Sequence, residues 1–92
     1  MKFIPWNRDK WLSREGTLIP FDKIEHFILG FLGIIIGILL IGIHPEIMII
    51  IGIIAAVGWE VKDGILSYGF SWKDLIADIA GIGIGYLITL LW

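Results

Sequence analysis

The chain has 92 residues, of which 58% are hydrophobic and 17% charged, with a mean hydropathy of +0.91 and a net charge of −2. A chain this short makes one domain, and soluble domains carry nearer ~25% charge, so this much apolar surface fits lipid rather than water. The absence of cysteine excludes disulfides, thiolate metal sites and cysteine nucleophiles, and the small charge without a basic stripe excludes nucleic-acid binding.

Residues 1–20 mix Phe3, Trp6 and Trp11 with Lys2, Arg8, Asp9, Lys10, Arg14 and Glu15. No apolar run with a small-residue cleavage site follows the first charges, so the segment does not read as a signal peptide. The mixture suits an interfacial amphipathic segment, with a partly ordered tail as the alternative.

Residues 21–92 predict an all-α integral membrane domain of three transmembrane helices, at about 21–43, 45–62 and 72–91. Pro20 and Pro45 suit helix starts, and Gly64 suits the end of the second helix. Ser71-Trp72-Lys73-Asp74 has the form of a capping box, with Asp74 in place of the usual Glu or Gln. The turn Gly42-Ile43-His44-Pro45 and the connection over 64–70 are both short, which makes an up-down-up hairpin bundle. Small residues recur at helical spacing: Gly30, Gly33 and Gly37, then Gly52, Ala55 and Gly58, then Ala77, Gly81 and Gly85. Such stripes let helix backbones approach in lipid, and a homo-oligomer is expected from them. The glycines of 81–85 lie inside a helix and do not form a nucleotide-binding loop.

Orientation follows from the basic residues. All seven (Lys2, Arg8, Lys10, Arg14, Lys23, Lys62 and Lys73) fall on the side of the N-terminus and the second connection. The positive-inside rule puts that side in the cytoplasm and residue Trp92 outside, as a multi-pass protein of the cell membrane in contact with its lipids.

The same side gathers three pairs of ionisable residues, each pair one helical turn apart: Asp22 with His26, Glu60 with Asp63, and Asp74 with Asp78. They form two tiers, with Asp22, Asp63 and Asp74 nearer water and His26, Glu60 and Asp78 one turn deeper. Thirteen uncharged residues separate Glu46 from Glu60, about 20 Å of helix. This is short of a ~30 Å hydrocarbon core, so Glu60 is drawn toward lipid. Acids there cost ~2.5–3.5 kcal/mol at mid-membrane, less near the edge, and normally face protein, a partner or water. Crowded carboxylates with one imidazole suit a divalent metal such as Zn, Mn or Mg. The competing reading has them pair with Lys23, Lys62 and Lys73 as ordinary interfacial residues.

Asp74-Leu-Ile-Ala-Asp78-Ile-Ala-Gly81-Ile-Gly-Ile-Gly85 resembles the third-helix segment of the VanZ-like membrane proteins, and Asp22-Lys23-Ile-Glu-His26-Phe27 resembles their DKxxHF start. Glu60 matches the Glu that ends their preceding helix. The pattern departs from the family at Asp78, where Asn is usual, at Asp63, where Gln is usual, and in lacking the Arg of the loop over 64–71. Glu60-Val-Lys-Asp63 is similar to the E-x-x-D of smaller phage and lipoprotein-type relatives. The resemblance implies a small polytopic protein of the cell envelope, with some relatives linked to glycopeptide resistance. The expected function is divalent-cation binding at the cytoplasmic interface, with action on a lipid-linked substrate as an extension and a holin-like or structural oligomer as the alternative.

Overall fold

The computed structural model describes residues 1–12, 21–66 and 69–91. Pro20, Trp92 and residues 13–20 of the expected interfacial segment lie outside these. Helix α1 spans Asp22–Ile35 and runs on, without a break, as a wider π-helical stretch over Ile36–Ile41. Asp22 and Glu25 occupy its first turn, where carboxylates meet the positive end of the helix dipole. The stretch ends at Gly42, whose φ of 84° is one that glycine adopts without a side-chain penalty. Ile43 N–H then closes back on Gly37 C=O at 2.9 Å, and the chain turns into α2, Pro45–Leu66. Helix α3 spans Trp72–Leu91. Among the described residues, everything regular is helical except one parallel β-bridge between Phe3 and Phe70.

Two of these segments, Asp22–Ile41 and Trp72–Leu91, are long and apolar enough to cross a membrane. Glu60, Lys62 and Asp63 interrupt the apolar run of α2 near its end.

Helices α1 and α3 lie parallel and pack closely, because glycine removes the side chain at each crossing point. A Cβ on Gly81 would strike Phe27 C=O, one on Gly85 would lie 2.9 Å from Phe31 C=O, and one on Gly30 would lie 2.6 Å from Asp78 C=O. Gly37 is covered by the Met48 side chain, and Gly52 faces Ile82 and Ile34. The stripes read from the sequence are thus packing faces in part, and they pack within one chain. Gly33 and Gly58 face open space. Helix α2 leans on α3 and touches α1 far less.

Helix α2 runs through Gly64, which is therefore not the stop expected of it. The small residue is needed there for another reason. Lys2 N–H donates to Gly64 C=O at 2.7 Å, and a Cβ on Gly64 would meet Met1 Cγ at 2.6 Å. The left-handed turn comes instead at Gly69, with φ 130°. From there Phe70 N–H donates to Lys2 C=O at 2.8 Å and Ile4 N–H to Phe70 C=O at 2.9 Å. Phe3, Phe70 and Trp72 close over this ladder, with ring centroids 4.8–6.4 Å apart. Residues 1–12 are an arm folded back onto the α2–α3 connection.

Candidate functional site

The first turns of α1 and α3 and the last turns of α2 meet at one end of the bundle, under the N-terminal arm. Parallel packing of α1 on α3 sets His26 beside Asp78. His26 Nδ1 lies 2.9 Å from Asp78 Oδ2, while Nε2 lies 3.3 Å from Asp22 Oδ1 and 3.4 Å from Asp74 Oδ2. The imidazole thus stands between two sets of oxygen ligands. Asp22, His26 and Asp74 form one set and His26, Glu60 and Asp78 the other; within each set, one candidate ligand atom per residue lies within 4.8 Å of the rest.

The two sets differ in how their charge is met. Lys23 Nζ serves the outer set, 2.5 Å from Asp9 Oδ1, 2.8 Å from Asp74 Oδ1 and 3.4 Å from Asp22 Oδ2. Its approach to Asp74 Oδ1 is an ion pair lying off the hydrogen-bond direction. Asp9 also accepts from Ser71 Oγ, and Lys73 Nζ donates to Asp9 C=O at 2.5 Å while lying 4.6 Å from the Trp6 ring and 5.3 Å from the Trp11 ring. The inner set has no such partner: among the described residues no Lys or Arg reaches Glu60 or Asp78.

Glu60 is the most enclosed charge-bearing residue of the site, 0% exposed. Ser71 opens α3 as its N-cap, as expected, its Oγ accepting from Asp74 N–H at 3.1 Å. The reciprocal half of the capping box does not form with Asp74. Instead Ser71 N–H donates to Glu60 Oε1 at 3.0 Å, and Glu60 Oε2 is left buried with no hydrogen-bond donor among the described residues. Buried oxygens are nearly always partnered, so an orphan in a native fold calls for an explanation.

Of the six ligands named from sequence, Asp22, His26, Glu60, Asp74 and Asp78 come together, in the two tiers that helical spacing predicts. Asp63 stands apart: its carboxylate pairs with the exposed Lys62 at 3.2 Å, and Lys62 in turn lies over Trp59. The lysine-paired reading also holds in part, since Lys23 neutralises the outer tier. Asp9 joins the site through the docked arm, and nothing in the spacing of an N-terminal arm shows where it docks. Glu25, one residue from His26, is also buried at this end, at 5% exposed.

A cleft of about 290 Å³ opens beside the inner set, between α1 and α2. Its floor is Ile34, Ala56 and Ile82, its walls include Gly33 and Ala55, and its polar end is formed by Glu25, His26 and Asp78. No family model, curated protein or solved structure matches the chain.

Proposed function

We propose that this chain is a small three-span membrane protein whose inner set, His26, Glu60 and Asp78, binds one divalent cation at the cytoplasmic interface. The observation that carries the proposal is Glu60: a wholly buried carboxylate with one oxygen lacking any donor among the described residues, within ligand distance of an imidazole and a second carboxylate. A cation supplies what the fold leaves out, because unpaired buried charge is otherwise costly. With Nδ1 turned to the metal, His26 Nε2–H would donate to Asp22 and Asp74, the support that metal-bound imidazoles usually have. The donor set suits Mn, Mg or Zn. Asp63 is an outer residue at most.

The membrane reading rests on the two long apolar helices together with the shared end of Lys2, Lys23, Lys62 and Lys73. Helix α2 is taken as the third span, its acid-bearing end held inside the bundle rather than in lipid. His26 and Glu60, which carry the resemblance to VanZ-like proteins, converge with Asp78, where the pattern departs from that family; a cell-envelope role with action on a lipid-linked substrate rests on that resemblance. The test is metal analysis of the purified protein. One equivalent of divalent metal, lost in Glu60→Gln, is the expected result. Metal-free protein that also binds none on titration with Mn²⁺ or Zn²⁺ would overturn it.

A further inference from the structure

The chain has a formal charge of −2, yet folding sorts its charges so that one end of the bundle is cationic on the outside. Around the acidic cluster, Asp9, Glu25, Glu60, Asp74 and Asp78 are buried, and Asp22 and Asp63 are partly so. At the same end Lys2, Arg8, Lys10 and Lys62 are exposed. Within the arm the sorting is complete. Its one acid, Asp9, turns inward to Lys23 and Ser71, while Lys2, Arg8 and Lys10 are exposed and form no ion pair with any described residue. A segment of mixed charge in the sequence thus presents only positive charge once docked.

Aromatic rings share that surface. Phe3, Trp6 and Trp11 of the arm and Trp72 of α3 are 45–54% exposed. Their level is set by α3. Phe3 stacks on Trp72 at 6.4 Å, and the Trp6 and Trp11 rings lie 4.6 and 5.3 Å from Lys73 Nζ, so the arm's rings stand beside the first turn of α3. From that turn α3 runs for 20 residues, about 30 Å of helix, one hydrocarbon thickness. Rings at the end of such a span lie where aromatic side chains anchor membrane proteins, and cations beside them lie at headgroup level.

We infer that the docked arm is a binding surface for anionic phospholipid headgroups, with Lys2, Arg8 and Lys10 meeting the lipid phosphates and Phe3, Trp6 and Trp11 seated among the headgroups. This rests on the reading of α1 and α3 as membrane spans and is independent of the cation site. A soluble polyanion would meet the cations and leave the rings in water, whereas an anionic leaflet takes both. Lys23 and Lys73 take no part, because both are buried and engaged by Asp9.

The test uses the full chain in phosphatidylcholine vesicles with a trace of spin-labelled phosphatidylglycerol or spin-labelled phosphatidylcholine, reading the motionally restricted fraction by electron paramagnetic resonance. A single basic residue at an anionic surface supplies about fivefold in association. Averaged over all lipids around the protein, phosphatidylglycerol should be preferred by about threefold or more in ~0.01 M salt. The preference should fall toward unity near ~1 M salt, where the Debye length is about 3 Å. The combined variant Lys2→Gln, Arg8→Gln, Lys10→Gln should lose it with unchanged thermal unfolding, and Arg8→Gln with Lys10→Gln serves if the first variant does not fold. Lys62→Gln, off the arm, should keep most of it. Equal association of the two lipids, or a preference that high salt leaves intact, overturns the inference, and a soluble polyanion is then the remaining partner. A preference that survives the arm variants overturns it too, because the lipid contact then lies elsewhere. Restriction of neither lipid overturns the membrane reading and this inference together.

Discussion

Lys23 on α1 reaches Asp9 of the N-terminal arm at 2.5 Å, with both side chains about 5% exposed. The same ammonium lies 2.8 Å from Asp74 of α3, so one cation ties three separate segments at the mouth of the acidic cluster. Removing Lys23 leaves three carboxylates facing one another, whereas removing the Asp9 charge leaves the lysine two partners. Lys23→Met should therefore destabilise by ~3–5 kcal/mol, the cost of an orphaned buried charge. Asp9→Asn should cost only about 1.5–3 kcal/mol, the range for a hydrogen bond to a charged group. Denaturant unfolding checks the order, and a larger loss for Asp9→Asn would place the centre of the network elsewhere.

Glu60→Gln and Asp78→Asn test the inner set. Metal at about 100 times its dissociation constant adds ~2.7 kcal/mol to stability, seen as a drop in Tm on chelation. Each amide variant should lose that drop. If instead both melt above the parent, with or without chelator, the carboxylates are merely crowded and no cation relieves them.

Asp63→Asn gives the contrast. Its partner Lys62 is 43% exposed, and pairs of that kind contribute ~0–1 kcal/mol. The variant should bind metal with unchanged stoichiometry and melt close to the parent. Loss of metal in this variant would return Asp63 to the ligand set.

The glycines divide in the same way. Gly81→Ala places a methyl group against Phe27 C=O, which forces α1 from α3 and should destabilise by more than ~1 kcal/mol. Gly33→Ala meets nothing within 4 Å and should be neutral or stabilising by up to ~1 kcal/mol, from helix propensity. Equal effects in thermal melts would contradict the α1–α3 packing.

A topology reporter after residue 91 should read as extracytoplasmic and one at residue 67 as cytoplasmic, given the basic residues gathered at one end. The reverse pattern would contradict this orientation, and a cytoplasmic signal from both would show that α3 does not cross.

Local chemistry determined much of this protein. The apolar runs, Pro45, Gly42 and the Ser71 cap set three helices within a few residues of their positions, since each signal acts over one or two turns. The i, i+4 spacing of Asp22 with His26 and of Asp74 with Asp78 put each pair on one helix face. Tertiary structure decided the rest, because it depends on which faces meet. Close passage of Gly81 and Gly85 over α1 brought His26 to Asp78, and docking of the arm on Gly64 and Phe70 carried Asp9 to Lys23. Gly64 reads as a helix stop by residue type alone, yet it is a landing site for backbone, a role that a long-range contact alone assigns. Asp63, three residues from Glu60, stands about 60° round α2 from it by helix geometry. Which of the two faces the cluster depends on how α2 is turned toward α3, and in the fold Glu60 faces it while Asp63 pairs with Lys62.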